Sequence, residues 1–144
     1  MALHLIKLCV GCESPDELES WIANRLEEKR KRGEPVEQHH VTRMIPKRTD
    51  ELLENGSLYW VIKGMVQCRQ RLLGIRPFVD GEGISRCRLV LEPTVIRTEW
   101  QPRRPFQGWR YLKPEDAPAD LGTGPEAAGL PDHLRRELTE LGLL

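Results

Sequence analysis

Long hydrophobic runs are missing from this 144-residue sequence. Its apolar runs are only a few residues long, whereas a helix needs about 20 consecutive apolar residues to cross a bilayer. The N-terminal stretch MALHLIKLCVGC also lacks an apolar segment followed by a small-residue cleavage site, which a secretory signal would need. The sequence therefore predicts a cytoplasmic protein that does not bind a membrane.

Cysteine is also too sparse for a disulfide framework. Four cysteines, at positions 9, 12, 68 and 87, are spread over a chain long enough to form a core without covalent staples. Cys9 and Cys12 form a CxxC pair, but a zinc site would need a second pair of ligands, and no second paired motif is present. A redox pair would need a helix N-terminus beside the first thiol, and a helix is predicted to start nearby, at Ser14. Reduced, buried thiols are the favoured interpretation, and neither a metal nor another cofactor is predicted.

The signatures of the commonest enzymes are absent as well. There is no glycine-rich phosphate loop, no GxSxG motif and no HExxH motif. Thr42, Lys47 and Glu92, with His39 or His40, could supply the acid, base and hydroxyl that hydrolysis needs. Since nothing in the sequence fixes their geometry, a small hydrolase of a modified nucleoside or amide is an alternative rather than the main prediction.

The formal net charge of zero conceals a strong segregation of charge. Residues 1–58 hold 9 basic and 11 acidic side chains, residues 59–112 hold 10 and 4, and residues 113–144 hold 3 and 7. Local potential steers polyanions more than total charge does. The middle of the chain is therefore a candidate anion-binding region, unless the acidic flanks fold back and neutralise it.

Helix signals are clearest near the N-terminus. Ser14 can cap a helix, Pro15 suits its first turn, Glu17 can complete a capping box, and Gly33 can stop it. The basic run at 29–32 would lie at the negative end of the helix dipole, which favours a solvated helix end over a nucleic-acid site. In total, helices are predicted at 14–32, 48–54 and 131–142, with an irregular acidic Pro/Gly-rich arm at 113–130.

Strand signals centre on residues 57–76. Alternation from Leu58 to Ile62 predicts a half-buried strand that Gly64 interrupts. In the following strand, Arg69 and Arg71 would share one face, and the arginines at 86 and 88 would join them if the two strands pair. Strands are predicted at 3–10, 40–45, 57–64, 65–75, 84–91 and 94–100. The pattern indicates a single α+β domain over residues 1–144, with one sheet face in the core and the other cationic.

Residues 101–112 combine guanidinium and aromatic groups, and they predict neither a helix nor a strand. Arginine pairs phosphates bidentately and stacks on bases, and exposed aromatic rings stack bases with about 1–3 kcal/mol each. The segment therefore predicts a nucleic-acid or nucleotide site. The candidate ligand-binding residues, including basic residues from elsewhere in the chain, are Arg43, Lys47, Arg69, Arg71, Arg103, Arg104, Phe106, Trp109, Arg110 and Tyr111.

A structural explanation of the same segment is open too. Phe106 and Trp109 could fill the core, because tryptophan is more often buried than presented. The arginines would then bridge acidic residues of the arm, namely Glu115, Asp116 and Asp120.

Several stretches resemble a known family. VTRMIPKR, GSLYWVIKG with CRQRLLGI, and RRPFQGWRYL with DAPADL resemble a family of bacterial proteins of about this length, described only as a domain of unknown function. More remotely, a strand with Thr42 and Arg43, a short helix, Gly56 and a long strand pair resemble the PUA-like superfamily, particularly its ASCH and EVE branches. That resemblance implies a small mixed β-barrel with flanking helices that recognises RNA or modified bases. The predicted strands could close or nearly close such a barrel.

The PUA-like resemblance also implies a ligand cleft between the barrel and the segment of Arg43 and Lys47, with Trp109 or Tyr111 near its mouth. An ASCH-type amidohydrolase has a lysine shortly before the threonine, whereas this sequence has Gln-His-His at 38–40. The departure favours a binding module over an enzyme.

The sequence thus predicts a module that binds nucleic acid, RNA in the first place, or a modified nucleotide. Two alternatives to nucleic-acid binding are left open, the hydrolase and a protein-interaction module. The latter would dock through the Pro/Gly-rich arm and the leucine-rich helix at 130–144. RNA, DNA and free nucleotide are not distinguished, and the oligomeric state is left open.

Overall fold

A computed structural model describes residues 3–121, which form seven strands, two α-helices and a short 3-10 helix at Pro114–Asp116. The strands are β1 (His4–Leu8), β2 (Gln38–Thr42), β3 (Ser57–Ile62), β4 (Met65–Val79), β5 (Ser85–Leu91), β6 (Ile96–Pro102) and β7 (Trp109–Leu112). The helices are α1 (Pro15–Lys31) and α2 (Thr49–Leu53). The α+β class predicted from the sequence is confirmed. The helix predicted at 131–142 lies outside the described residues.

The strands form one mixed sheet in the order β2-β5-β4-β3-β1-β7. The pair β1–β3 is parallel, and the other pairs of the described residues are antiparallel. The long strand β4 pairs with β6 along Met65–Arg69 and with β5 along Leu72–Val79. β4 is therefore the strand on which most of the sheet is assembled.

The first helix begins as its sequence predicts. The Glu17 backbone N–H donates to the Ser14 hydroxyl oxygen at 3.2 Å, and Pro15 occupies the first turn. This cap satisfies one of the backbone donors that a helix N-terminus leaves unpaired. Leu18 and Ile22 are buried on the sheet, so α1 covers one of its faces.

β3 is buried on both faces, which corrects the prediction of one core face and one cationic face. All six of its residues are buried. Leu58, Trp60 and Ile62 lie in the core cluster beneath α1, and Tyr59 and Val61 lie in a second cluster on the opposite face. Phe106 and Ala117 pack against that second cluster, so the segment after β6 supplies its cover.

The sheet is open, so the prediction of a barrel closed by strand pairing is wrong for residues 3–121. β2 and β7 end the strand order and do not pair with each other. The loop after β2 meets β7 through side chains instead. The Trp109 indole N–H donates to the Met44 carbonyl at 2.9 Å, and the Tyr111 hydroxyl accepts from the backbone N–H groups of Lys47 and Arg48 at 3.0 and 3.2 Å. Pro46 lies in this loop and lacks the N–H that a sheet ladder would need.

Two further strand predictions are corrected. β4 continues through Pro77 to Val79 instead of ending at 75, and residues 109–112 form β7 although their sequence predicts no strand. The extension of β4 also sets the register with β5, in which Arg88 lies opposite Arg76 rather than near Arg69. The four arginines at 69, 71, 86 and 88 therefore do not form one cationic patch.

Neither α-helix in residues 3–121 is long and apolar enough to span a bilayer.

Candidate nucleic-acid interface

A groove of about 340 Å³ lies where the end of β6, the loop at 103–108 and β7 meet. Its basic and aromatic lining residues are Arg103, Arg104, Phe106, Arg110 and Tyr111, and Ile6, Pro102, Leu112 and Asp116 complete the lining. We call this cavity the arginine groove. It brings together five of the predicted ligand-binding residues.

Backbone contacts hold the loop at 103–108 in place. The Arg103 N–H donates to the Gly64 carbonyl in the β3–β4 turn at 2.8 Å. Gly108 has a φ of 68°, a left-handed conformation that suits glycine, and it turns the chain into β7. β7 then pairs with β1, with Arg110 opposite Ile6. Arg103 and Arg104 therefore reach the groove from the β6 side and Arg110 from the β7 side.

Arg110 and Phe106 form a stacked pair in the groove. The guanidinium carbon lies 4.8 Å from the centre of the Phe106 ring, and the ring itself packs against the cluster that contains Ile6 and Leu112. The phenyl ring thus supports the planar cation from the core side. Because Arg110 is exposed, its guanidinium can stack on a base or pair with a phosphate.

Arg103 is oriented by its neighbours, and Arg104 is exposed. Nε and Nη2 of Arg103 donate to Oε1 of Gln101 at 3.0 and 2.8 Å, and Nη2 lies 3.5 Å from the Asp116 carbonyl oxygen. Asp116 therefore contacts Arg103 through its backbone. Between residues 3 and 121, no carboxylate forms an ion pair with the groove arginines at 103, 104 and 110.

Arg69, a predicted phosphate ligand, is paired inside the protein. Its Nε and Nη2 donate to the two carboxylate oxygens of Asp120 at 2.8 and 2.7 Å, and its Nη1 donates to the Ser57 hydroxyl at 2.7 Å. The hydrogen bonds from Arg69 hold the pKa of the Asp120 carboxyl below its usual range. The acidic arm does fold back on a basic residue, but that residue is Arg69 rather than one of the groove arginines.

The two aromatic residues of β7 support the fold. Trp109 is 8% exposed, belongs to the core beneath α1 and does not line the groove. Tyr111 lines the groove, is 36% exposed and has its hydroxyl bonded to the loop of Lys47. The groove therefore contains the pair of Arg110 on Phe106 beside Tyr111, and Trp109 lies outside it.

Besides Arg69, three predicted basic residues lie outside the groove. Arg43 and Lys47 are exposed on the loop between β2 and α2, and the bond of the Lys47 N–H to Tyr111 brings that loop beside the groove. Arg71 and Arg69 line a separate cavity of about 280 Å³ with Asn55, Glu92 and Ile96.

The family of this chain is shown by its sequence. Residues 5–144 match the family described as "Protein of unknown function (DUF1489)". The chain belongs to the DUF1489 family. No curated protein matches the chain, and no solved structure does. The family description names no activity, so the function of this DUF1489 chain has to be argued from its own geometry.

The hydrolase candidates of the DUF1489 chain are not brought together. In the β2–β5 ladder Thr42 pairs with Cys87, whereas Glu92 follows Leu91 at the other end, a distance of about 16 Å along the strand. The Thr42 hydroxyl donates to the Met44 carbonyl at 2.8 Å, and Lys47 lies on the groove side of the loop. These residues do not share a site.

The CxxC segment has the character of structural thiols. Cys12, Cys68 and Cys87 are buried, and Cys9 is half-buried. Burial is the main cause that raises the pKa of the Cys9 thiol, and the neighbouring Cys12 raises it further. A raised pKa disfavours the reactive thiolate form. In the described part of the DUF1489 chain, no group of three or more His, Cys, Asp or Glu is arranged to hold a metal ion.

Sequence reasoning missed two contributors to the groove. Gln101 orients Arg103 and precedes it by two residues. Side chains two residues apart in an extended segment lie on the same side, so the spacing alone could have indicated this contact. Ile6 forms part of the floor, but it comes from β1, and no local pattern links it to residues 103–112.

Proposed function

We propose that this DUF1489 chain is a cytoplasmic module that binds single-stranded nucleic acid, RNA in the first place, through the arginine groove. Arg103 and Arg104 hold phosphates, and a base stacks on Arg110, which Phe106 supports. One observation carries the proposal. Three arginines that form no ion pairs with the described residues lie in one cavity with two aromatic rings.

The groove suits this ligand in size and charge. A volume of about 340 Å³ falls in the range of roughly 300–1,000 Å³ that small-molecule sites occupy, so it can take one nucleotide unit. Arginine and aromatic groups together are the usual elements of binding to single strands without strong sequence preference. Lys47, beside Tyr111, extends the positive surface along which a backbone could run.

The relation to the PUA-like superfamily is part of this proposal. The sheet is mixed, and its two ends meet across the loop at 43–48, where the Trp109 indole donates to Met44 and the Tyr111 hydroxyl accepts from Lys47. That arrangement is compatible with a small barrel that has one side bridged by side chains. A modified base is therefore included among the ligands to be tested.

The proposal predicts a loss of binding on removal of two groove charges. Fluorescence anisotropy of a labelled single-stranded RNA of about 12 nucleotides, at several salt concentrations, measures it, with DNA of the same sequence in parallel. Wild-type protein should bind saturably and more weakly at high salt. The Arg103→Ala/Arg104→Ala variant should bind at least about tenfold more weakly, and its log–log salt slope should fall by about 1.4, since two phosphate contacts are lost.

The matched control is Arg30→Ala/Arg32→Ala, which removes the same charge from the exposed end of α1. It should bind almost as well as wild type. Equal losses in both double variants would show that binding follows overall charge and not the groove. Absence of saturable binding by the wild type at low salt, to RNA and to DNA, would overturn the proposal.

A further inference from the structure

A second cavity, of about 150 Å³, lies between α1 and the sheet. α1 contributes Leu18, Trp21, Ile22 and Arg25, and the strands beneath contribute Lys7, His40 and others. It shares no lining residue with the arginine groove, and of the residues predicted from the sequence for phosphate binding or hydrolysis only His40 lines it.

His40 lines this cavity and carries a buried polar atom without a partner among the described residues. Its ring lies edge-on to Trp60, with ring centres 5.2 Å apart and planes at 90°. Its Nε2 is buried and has no hydrogen-bond partner among the described residues. Buried polar atoms are normally paired, so an unpaired one that lines a cavity indicates a ligand atom as its partner.

The charges of the cavity favour an anion. Lys7 and Arg25 line it, and none of the acidic residues at 3–121 does. Neither cation forms an ion pair between residues 3 and 121. Burial and then these two cations lower the pKa of His40 to about 4, so its ring is neutral near pH 7 and can donate through an Nε2–H.

The remaining walls favour a ring. Leu18, Ile22 and the indole of Trp21, which is 37% exposed, form the apolar side. A cavity of roughly 150 Å³ accommodates one benzene-sized ring. A polyphosphate or an oligonucleotide would be far too large for it.

We propose that this cavity binds a small monocarboxylate that carries a single aromatic ring. The carboxylate lies with Lys7 and Arg25 and accepts a hydrogen bond from Nε2 of His40, and the ring packs against Trp21 and Ile22. The site is independent of the arginine groove, so it stands whether or not the protein binds nucleic acid.

Titration of the full chain with benzoate tests the proposal, because Trp21 and Trp60 report on the cavity by fluorescence and ligand-observed NMR reports on the benzoate. Wild-type protein should bind benzoate saturably at millimolar concentration or below. Benzamide, its neutral counterpart of the same shape, should bind at least about tenfold more weakly, since it cannot pair with the two cations.

Variants locate the site. Arg25→Gln should weaken benzoate binding by about tenfold, whereas Arg30→Gln on the same helix should leave it within about twofold. Arg25 is exposed, so its replacement should not change the thermal midpoint, which circular dichroism checks. Equal binding of benzamide and benzoate, equal effects of the two variants, or no saturable binding of benzoate would each overturn the proposal. So would tighter binding of a neutral pyrimidine nucleoside than of benzoate.

Discussion

At the scale of single residues, the Asp120 carboxylate decides what Arg69 can do. The two side chains form two hydrogen bonds of 2.8 and 2.7 Å, and Ser57 accepts a third from the same guanidinium. Charge-assisted pairs of this geometry fix both partners. Arg69 therefore connects the arm of residues 113–121 to β4, and its Nε, Nη1 and Nη2 all donate hydrogen bonds within the protein.

Replacement of Asp120 by Asn should destabilise the protein by about 1–2 kcal/mol, because the half-buried Arg69 loses its charged partner. The loss is not larger, since Asp120 is partly exposed and solvent already screens the ion pair. Urea denaturation measures the free energy of unfolding. Glu115→Gln, an exposed neighbour on the same arm, is the control and should change it by less than about 0.5 kcal/mol. Similar losses in both variants would contradict the role of the pair.

At the scale of elements, β7 connects two parts of the fold that do not share a strand ladder. Its pairing with β1 is ordinary, but its aromatic side chains also hold the loop that precedes α2. The N-cap residue of α2, Arg48, makes no side-chain cap hydrogen bond. The Tyr111 hydroxyl accepts instead from the backbone N–H of Arg48 itself, as the N3 side chain does in a capping box.

Tyr111→Phe should therefore cost about 1 kcal/mol of stability, since two backbone donors lose their acceptor while the ring packing is kept. Amide hydrogen exchange at Lys47 and Arg48 should become faster. Tyr59→Phe makes the same chemical change where the hydroxyl has no hydrogen bond to the described residues, and exchange at Lys47 and Arg48 should not respond to it. Unchanged exchange in Tyr111→Phe would refute the capping role.

The elements that could be predicted from sequence are those with local causes. Ser14, Pro15 and Gly33 mark the limits of α1 through bonds and conformations within one turn, and the Lys63-Gly64 turn has the positive φ values that a two-residue hairpin needs. β7 could not be predicted, because its strand character comes from β1, at the other end of the described chain. β3 is buried on both faces for the same reason, because the side chains that cover it come from distant parts of the chain.

The groove was predictable in part for a related reason. Arg103, Arg104, Phe106 and Arg110 are close in sequence, so their clustering shows in the chain itself. The pairing of Arg69 with Asp120 and the unpaired nitrogen of His40 depend on partners from distant elements. No spacing rule contains that information.

At the scale of the whole molecule, buried histidines link stability to pH. The pKa values of His4, His39 and His40 all lie below their ordinary value, chiefly because burial disfavours the charged ring. In the unfolded chain these rings protonate near pH 6.5, so the unfolded state binds more protons below that pH. The lowered pKa of Asp120 acts in the same direction at still lower pH.

The free energy of unfolding should thus fall as the pH drops from 6.5 to about 4, the pKa of folded His40, with a slope of up to about 1.4 kcal/mol per pH unit for each such group. Urea denaturation at intervals of pH gives the slope. His40→Asn should flatten it, since one of the titrating groups is gone. A slope identical to that of wild type would show that His40 protonates alike in both states.

The position of β1 between β3 and β7 has a consequence for the order in which the sheet forms. Among the described strands β1 is synthesised before its partners β3 and β7, and β7 leaves the ribosome near the end of the described residues. The β3–β4 hairpin, by contrast, needs only neighbouring residues. We therefore expect the hairpin to form early, β1 to pair with β3 next, and the other edge of β1 to stay unpaired until β7 has been synthesised, so that β7 is the last of the described strands to join the sheet.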